Sequence, residues 1–440
     1  MKKLKAFVAF SFLILLRFGA WIQLRKVRPR IIGITGSAGK TSTMYAVYQV
    51  LSPSFRVRMS EKGNSETGIP LDLLGIQVTS YTFWFWIKVL FLLPIRIFFF
   101  WPKYDTYIVE MGVDSPNPPK NMGYLLTILQ PQLGVFLGVS PVHTAFFETD
   151  AVTGSDQIVD RIAEEKGKMI LSLPSDGWAI LNGDDDRVSR FQEKTKAHVF
   201  LFGRKKDATL QIIEVSSTLT SFLLKLRWNN QEETLRISGC VLPEHYGHSF
   251  AAACAVGVIM GLSLKDCVSR LSSYHLPPGR MSVIEGMKDT VILDSSYNAS
   301  KQTVLDALDL LHSVAQKKKI AVLGDMRELG SHGKDDHREV GKKAAEICDE
   351  VVFVGPLMME YALPVAEEKK VPCASFRSAL EAARYLKERL SGGETILVKG
   401  SQNTVFLEAA VKELMLHPEK AGELLCRQTP FWEKQRRRYT

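Results

Sequence analysis

The sequence predicts an α/β fold with two successive domains, each built on a mostly parallel sheet, behind an apolar N-terminal segment. Short apolar runs typical of strands alternate with helical stretches, and this rhythm restarts after Pro277-Pro278-Gly279. Such alternation is typical of doubly wound parallel sheets. The predicted units are a membrane anchor at 1–29, a first α/β domain at 30–277, a Rossmann-like α/β domain at 278–415 and a basic tail at 416–440.

The composition is that of a folded protein in a reducing compartment. The 440 residues are 46% hydrophobic and 23% charged, and these proportions exclude wholesale disorder. The six cysteines form no C-x-x-C pair, which disfavours a thiolate zinc site and favours a cytoplasmic setting.

The formal net charge of +9 is concentrated at the two ends of the chain. Because the basic N-terminus adjoins an apolar segment, an anionic membrane surface is the predicted partner rather than nucleic acid. The basic C-terminal cluster is equally compatible with a solubilising tail.

The first predicted element is an uncleaved membrane anchor at 6–24. Only Ser11, Arg17 and Gln23 interrupt its apolar run, which is marginal against the roughly 20 residues needed to span a bilayer. No small-residue cleavage signal follows it, and the basic residues after it favour a body on the cytoplasmic face of the cell membrane.

The most informative motif is the stretch Gly33-Ile-Thr-Gly-Ser-Ala-Gly-Lys-Thr-Ser42, between a predicted strand and a helix over Ser42–Leu51. Its glycines let backbone N–H groups surround phosphate oxygens at a helix start, Lys40 can reach the β/γ-phosphates, and Thr41 can hold Mg²⁺. It is a variant P-loop, because Ile34 stands where the strict spacing has glycine. The predicted nucleotide-binding residues here are Gly36, Ser37, Ala38, Gly39, Lys40, Thr41 and Ser42.

A second apolar segment, Tyr81 to Trp101, is inserted into the first domain. Aromatic residues occupy both of its ends, and Lys88, Pro94 and Arg96 interrupt it. This pattern favours an interfacial or re-entrant membrane element, with a buried core helix as the alternative. Membrane association is therefore predicted through 6–24 and 81–101.

The remaining elements of the first domain follow from periodicity. Strands are predicted at Thr106–Glu110, Gly134–Gly138, Trp178–Leu181 and His198–Phe202, helices at Ser155–Leu171 and Ser249–Gly261, and an antiparallel sheet over Ala208–Ile237.

Polar residues near these strand ends are candidate site residues. Glu110 ends a strand where a carboxylate can bind Mg²⁺, and His143 follows the next strand. Asn182 and Asp185 lie in a polar turn that could read an adenine edge. Taken alone, His143 is more often structural, and Lys166 is more often a solvated helix lysine.

In the second domain the βα rhythm predicts four strands, at Val291–Leu293, Ile320–Leu323, Glu350–Val354 and Thr395–Val398.

Taken together, the P-loop variant and the segment Gly63-Asn-Ser-Glu-Thr-Gly-Ile-Pro70 resemble the Mur ligase family over about residues 30 to 415. That family makes peptidoglycan stem peptides by ATP-driven amide formation. The resemblance implies ATP and two Mg²⁺ ions, with Thr41, Glu110, His143 and Lys166 as metal ligands. Lys166 falls where the family carries a carbamylated lysine. The implied catalytic residues are Lys40, His143, Lys166 and Arg280.

The motifs of the second domain resemble the branch of the family that adds D-Ala-D-Ala to a muramyl-tripeptide. These motifs are 278–281, 292–300, 323–330 with His337, and 397–401. The resemblance implies an acyl-phosphate intermediate, places Arg280 near the nucleotide phosphates, and makes a muramyl peptide and D-Ala-D-Ala the partners. The candidates for substrate binding are Asp294, Tyr297, Asn298, Lys399 and Ser401.

Three departures from the family leave alternatives open. The P-loop begins only about 30 residues in, where these ligases normally carry a UDP-binding domain, and the segment 81–101 is an apolar insertion. The stretch Pro243–Ser249 keeps His245 but lacks two family asparagines. The acceptor is therefore UDP-linked or lipid-linked. Further alternatives are a ligase for another polymer and a non-catalytic membrane scaffold. A monomer is expected.

Overall fold

The computed structural model describes residues 2–60, 63–78, 83–141, 144–148, 155–239, 241–275, 277–327, 333–401 and 405–436. The strands are β1 (Arg30–Thr35), β2 (Val57–Met59), β3 (Thr106–Glu110), β4 (Leu133–Phe136), β5 (Trp178–Asn182), β6 (His198–Gly203), β7 (Leu210–Ser217), β8 (Ser221–Trp228), β9 (Gln231–Ser238), β10 (Ser282–Glu285), β11 (Val291–Ser295), β12 (Lys319–Gly324), β13 (Glu350–Val354), β14 (Cys373–Phe376) and β15 (Thr395–Lys399).

The helices used below are α1 (Lys2–Val27), α2 (Lys40–Leu51), α3 (Gly68–Leu73), α4 (Phe83–Phe99), α5 (Met122–Leu126), α6 (Thr144–Phe147), α7 (Ser155–Leu171), α8 (Asp186–Ser189), α9 (Tyr246–Ile259), α10 (Leu264–Leu271), α11 (Lys301–Val314), α12 (Gly333–Ile347), α13 (Leu363–Glu368), α14 (Ala379–Arg389), α15 (Glu408–Leu414), α16 (Ala421–Leu424) and α17 (Pro430–Arg436).

The first domain is built on a nine-stranded sheet with the order β2-β3-β1-β4-β5-β6-β7-β8-β9. Strands β1 to β7 pair in parallel, and β8 and β9 add an antiparallel meander. The chain leaves β1 toward β2 on one side and later returns to β4 on the other side. This change of direction makes the carboxyl end of β1 a topological switch point, where open α/β sheets bind their ligands.

Close packing around β1 explains the glycine at its centre. A side chain at Gly33 would meet Pro131, Met169 and Met111 at 2.8 to 3.0 Å, so a larger residue here would force these side chains to shift. On the other face the P-loop helix α2 packs against α9. The predicted small-residue helix thus covers the helix that begins at the P-loop.

The second domain is a six-stranded sheet with the order β10-β11-β15-β12-β13-β14, in which only β10 runs antiparallel to its neighbour. Helices pack on both faces, because the strands carry buried apolar residues on each side. The two α/β domains with mostly parallel sheets that the sequence predicts are present, and this part of the predicted fold class is confirmed.

The N-terminal segment is one continuous helix packed on the first domain. Leu13 and Ala20 of α1 belong to the core that also holds Tyr107 and Leu125, and Leu16 packs with α3 and α4. Among the residues that the structure describes, no helix has the length and apolar character needed to cross a membrane.

The C-terminal stretch differs from the predicted basic tail. Residues 416–427 fold back onto the second sheet, where Ala421, Leu425 and Cys426 are buried, and Arg427 is also buried. Apolar residues between 416 and 427 allow this packing. The basic run near the C-terminus dominates the composition of 416–440, so the apolar residues gave no clear signal in the sequence.

Candidate active site

A cleft of about 460 Å³ lies at the carboxyl ends of the central strands of the first sheet, facing the second domain. Of the residues singled out from the sequence it collects Ser37, Ala38, Gly39, Lys40, Thr41, Ser42, Glu110, Arg280, Tyr297, Asn298, Lys399 and Ser401. Residues from both domains therefore meet in one site, although some 240 positions of sequence separate Thr41 from Arg280.

The P-loop is held open by its backbone. Gly36 and Gly39 have φ angles of 148° and 78°, which side chains other than hydrogen rarely permit. Ser37 ties the loop to the strand end of β4, because its N–H donates to Gly138 O (2.8 Å) and its hydroxyl donates to Ser140 O (3.0 Å). The loop thus presents its N–H groups and the start of α2 to the cleft, the arrangement that binds phosphate.

Lys40 is a partly buried cation that lies near both acidic and basic groups. Its Nζ donates to the carbonyl oxygens of Gly36 (2.8 Å) and Ser37 (3.3 Å). Burial lowers the pKa of Lys40, Glu110 and Asp114 oppose that shift, and Arg280 adds to it. Phosphate oxygens would supply the negative charge that this group of cations lacks.

Lys166 lies beneath the cleft on α7. Its side chain is 2% exposed, and burial, followed by the nearby Lys40, lowers the pKa of Lys166 to about 7. The neighbouring Glu165 accepts a hydrogen bond from Met122 N–H (2.9 Å). Taken alone, the local sequence favours a solvated helix lysine at Lys166. The tertiary fold instead buries Lys166 near Lys40 of the P-loop.

Arg280 joins the two domains across the site. Its Nη2 donates to Thr41 Oγ1 (3.3 Å), and its guanidinium lies 4.4 Å from the centroid of the Tyr297 ring. A cation at this junction can contact the nucleotide phosphates and the second domain together.

The loop after β11 carries the other candidate residues. Asp294 is fully buried; its Oδ1 accepts from Ser296 N–H (3.0 Å), while its Oδ2 has no hydrogen-bond partner. Burial raises the pKa of Asp294 to about 6. Lys399 Nζ donates to Ser295 Oγ (3.0 Å) and Asn298 O (3.1 Å), and burial lowers its pKa to about 8.

Ser401 links this loop to the next one. Its hydroxyl donates to Ala299 O (3.0 Å) and accepts from Arg327 N–H (3.2 Å). His337, quoted as part of the same motif, is buried, and its Nε2 accepts from Met326 N–H (3.1 Å). His337 therefore shapes the loop that carries Arg327 into the cleft.

Asn182 and Asp185 lie near the cleft without lining it. Asn182 Nδ2 donates to Leu137 O (2.6 Å). Asp185 accepts from Val139 N–H (2.8 Å) and caps α8 through Arg187 N–H and Val188 N–H. Their polar atoms hold the loop after β4, and that loop in turn holds Ser37.

His143 lies outside the described residues. Within the described ranges, no three His, Cys, Asp or Glu side chains cluster as a ready metal site. Thr41 and Glu110 nevertheless line the same cleft, and a hydroxyl and a carboxylate are oxygen donors that suit Mg²⁺ bound together with nucleotide phosphates.

Sequence reasoning missed Asp114 and Arg327, which both line the cleft. Asp114 follows Glu110 by four positions beyond the strand end, a spacing that could have indicated it. Arg327 lies inside the 323–330 motif, which indicated the family resemblance but not the role of this residue.

Comparison with known families agrees with this architecture. The profile of the Mur ligase middle domain matches residues 34–257, and that of the Mur ligase, glutamate ligase domain, matches residues 279–402. The chain belongs to the Mur ligase family. The family prediction made from the P-loop variant and the second-domain motifs is confirmed, and with it the class of carbon–nitrogen ligase.

Two curated relatives of this Mur ligase carry the same activity name. It is 27% identical to UDP-N-acetylmuramoyl-tripeptide–D-alanyl-D-alanine ligase of Synechocystis sp., over 88% of this chain and 74% of the relative. It is equally identical to the enzyme of that name from Bacillus subtilis, over 90% of this chain and 78% of the relative.

Solved structures show the same fold as this Mur ligase. MurF from Acinetobacter baumannii superposes with a TM-score of 0.74 and 22% identity, covering 92% of this chain and 80% of that one. MurF ligase from Thermotoga maritima in complex with ADP gives a TM-score of 0.72 and 21% identity, covering 97% and 85%.

Proposed function

We propose that this chain is an ATP-dependent ligase that adds D-Ala-D-Ala to a muramyl-tripeptide through an acyl-phosphate intermediate. The observation that carries the proposal is the single cleft in which the P-loop faces the 295–300 loop, with Arg280 contacting both. The relatives named for this reaction align over both domains, which supports the same assignment here.

In the first step the acceptor carboxylate attacks the γ-phosphorus of ATP, the bond to the β-phosphate oxygen breaks, and ADP leaves. The P-loop N–H groups, Lys40 and Arg280 stabilise the negative charge that develops on the transferred phosphoryl group. In the second step the amine attacks the acyl carbonyl to give a tetrahedral intermediate, which loses phosphate and a proton and leaves the amide.

The proposal includes Mg²⁺, because Thr41 and Glu110 offer oxygen donors at the nucleotide end of the cleft. When bound, the ions would neutralise phosphate charge. The resemblance adds a second ion, His143 and a carbamylated Lys166. A carbamate would place an anion in the buried position that now holds a cation next to Lys40.

The binding roles of the second domain are part of the proposal. Tyr297, Asn298 and Lys399 line the cleft opposite the P-loop, where an incoming amino substrate would lie. Ser401 also lines the cleft and donates to Ala299 O, whereas Asp294 is buried at the end of β11 and supports the same loop from within the domain.

The deciding experiment is phosphate release from ATP by the purified full chain, with D-Ala-D-Ala and one muramyl-tripeptide acceptor. We expect release only when both substrates are present, and loss of release in Lys40→Ala. Release without the dipeptide, or with another amino acid in its place, would reassign the amine substrate. No release with any acceptor would favour the scaffold alternative.

The acceptor is tested in UDP-linked and lipid-linked forms in the same assay. We also propose that the protein is a monomer that associates with the cytoplasmic face of the cell membrane through 6–24 and 81–101. A lipid-linked acceptor would be within reach of an enzyme held there, so preference for that form would agree with membrane association.

A further inference from the structure

Helices α1 and α4 form one unit, here called the helix pair. The buried stripe of α4, made of Phe85, Val89 and Leu93, packs with Leu16 of α1 and with the α3 region. The contact is close at Gly19, where a side chain would meet Leu93 Cδ1 at 3.0 Å. This packing fixes which side of each helix faces the protein, and therefore also which side faces outward.

The ends of the pair are joined by polar contacts. Lys26 Nζ donates to Ile97 O (2.6 Å) and Phe100 O (3.2 Å), and Gln23 Nε2 donates to Phe100 O (3.1 Å). These bonds satisfy carbonyl groups at the C-terminal end of α4 that no helical N–H can reach. The pair is thus a built structure and not two loose apolar segments.

The outer side of the pair is apolar and aromatic. Trp84, Phe91 and Phe98 of α4 are 76%, 73% and 70% exposed, and their spacing of seven places them on one helix face. Phe10, Phe18 and Trp21 of α1 are also exposed. Twelve of the seventeen large apolar side chains exposed in the described part of the chain lie between Phe10 and Trp101, so this surface is concentrated at the pair.

Positive charge surrounds this surface, with no negative charge inside it. No Asp or Glu occurs from 1 to 30 or from 73 to 104. Arg25 lies 3.9 Å from the centroid of the Trp21 ring, and Lys26 lies 3.9 Å from that of Trp101. Cations stacked on aromatic rings match the headgroup level of a bilayer, where amphipathic rings accumulate.

A cavity of about 320 Å³ lies beside α4, and two cations line it. Lys88 and Arg96 share its wall with Gln77 and with the apolar residues Ile76 and Leu92. Two cations above an apolar floor offer the chemistry that an anionic headgroup with attached acyl chains requires.

We propose that the outer side of the helix pair docks on a bilayer that contains anionic phospholipid, with both helices lying in the interface. The proposal gives the mode and the lipid chemistry of the membrane association included in the proposed function, and it does not depend on the ligase reaction. A second copy of the chain is the competing occupant, but it would bring two acid-free, positively charged surfaces together, which like charges oppose.

The test is flotation of the full chain with phosphatidylcholine vesicles, with and without phosphatidylglycerol. We expect binding to the anionic vesicles to be about tenfold or more stronger than to neutral vesicles, as expected for cations near an anionic surface. The variant Trp84→Ser/Phe91→Ser/Phe98→Ser should lose binding, because it removes exposed rings only. The control Leu171→Ser/Leu416→Ser removes exposed apolar side chains elsewhere and should bind like the wild type.

Lys88→Gln/Arg96→Gln separates charge from apolar contact, because it should weaken binding to anionic vesicles while leaving the weak binding to neutral vesicles unchanged. Equal flotation of the triple serine variant and the wild type would overturn the proposal. So would a dimer in light scattering that the triple variant dissociates, if the wild type does not float.

Phosphate release with a soluble UDP-linked acceptor should be the same in the triple serine variant and the wild type. Loss of flotation with retained release would support docking, independently of the ligase assignment. Flotation by a protein that releases no phosphate would support docking and reject only the proposed reaction.

Discussion

Lys40 Nζ donates hydrogen bonds to two carbonyl oxygens of its own loop, Gly36 O and Ser37 O. Burial lowers the pKa of Lys40 at this site. Lys40→Met should reduce phosphate release by about 100-fold or more, the usual cost of losing a group that stabilises a transition-state anion. The melting temperature should not fall, because a desolvated cation is removed. Phosphate release and thermal unfolding measure the two effects.

The control for this change is Lys196→Met, which removes an exposed lysine of the same domain and should leave both quantities unchanged. A lower melting temperature in Lys40→Met would show that the lysine stabilises the loop and would weaken its catalytic assignment.

Asp294 gives a prediction on pH. Burial raises its pKa from about 3.8 to about 6, so the folded protein favours the protonated carboxyl. The carboxyl therefore costs stability above pH 6, and this cost fades as the pH falls from 6 toward 4. Asp294→Asn should raise the free energy of unfolding at pH 8 by at most ~3 kcal/mol and leave it unchanged near pH 4.

Chemical denaturation at the two pH values measures this difference. An equal effect of Asp294→Asn at both would contradict the raised pKa and would indicate that the asparagine gains or loses contacts of its own.

At the scale of single residues, the sequence predicted which residues belong to the site but not which groups they contact. Lys40 and Thr41 were found because phosphate binding fixes a local spacing. The bonds of Asn182 and Asp185 to the loop after β4 depend on contacts some 45 positions away in sequence. The burial of Lys166 places it near Lys40, about 126 positions away, and no local pattern encodes either contact.

Among the elements, the segment from 416 to 436 has the clearest consequence for the site. Arg427 donates to Tyr297 O (3.0 Å) and Ser296 O (2.7 Å) through two nitrogens, and its Nε donates to the fully buried Glu408 (3.2 Å). The segment therefore fixes the backbone of the loop that carries Tyr297 into the cleft.

Arg427→Met should destabilise the second domain by about 3–5 kcal/mol, the cost of leaving a buried carboxylate poorly paired. It should also raise the KM for the amino substrate more than the KM for ATP, because the freed carbonyls belong to the 295–298 loop. Denaturation and steady-state kinetics measure the two effects.

Two variants separate stability from positioning. Arg427→Met/Glu408→Gln should recover part of the stability but not the KM, since the loop still lacks its donor. Arg436→Met removes the other contact to Glu408 (3.4 Å) and should leave the KM unchanged. A normal KM in Arg427→Met would reject the positioning role.

Periodicity predicted the bounds of two fully buried strands correctly. Thr106–Glu110 and Glu350–Val354 have the predicted bounds, and every residue in them is buried. The edge strands β2, β10 and β14 were missed because they are three or four residues long and largely half-buried, so neither an apolar run nor an alternation marks them.

At the scale of the whole molecule, the two domains meet beside the cleft through a histidine–aspartate contact. His245 Nδ1 of the first domain lies 3.0 Å from Asp306 Oδ2 on α11. Burial would raise the pKa of Asp306, yet the nearby His245 keeps it below its ordinary value. Val241 adds an apolar contact, because it packs in the core of the second domain.

Asp306→Asn should loosen this contact while keeping the side-chain shape. We expect a larger radius of gyration in small-angle scattering and a severalfold higher KM for ATP, because Arg280 would approach Thr41 less often. Asp309→Asn on the same helix breaks only an exposed pair with Lys343 (2.7 Å), which is worth about 0–1 kcal/mol, and should change neither quantity. Equal effects of the two variants would show that Asp306 acts through the helix and not through the domain contact.

The two-domain α/β plan was predictable, because the alternation of strands and helices is local and repeats. The way in which the domains meet was not, since Thr41 and Arg280, or His245 and Asp306, carry no signal of each other in the sequence. The packing of α1 on the first domain was missed for the same reason: its apolar run indicates burial but not the partner.

The bonds from Arg427 to the Ser296–Tyr297 backbone span about 130 residues of chain. During synthesis the P-loop leaves the ribosome early, whereas the loop for the amino substrate stays without its anchor until Arg427 has emerged. A polypeptide terminated before Arg427 would therefore carry the phosphate-binding loop together with an unanchored loop for the amino substrate. Translation order therefore separates the two halves of the site: the phosphate-binding loop is made first, and the loop for the amino substrate is anchored last.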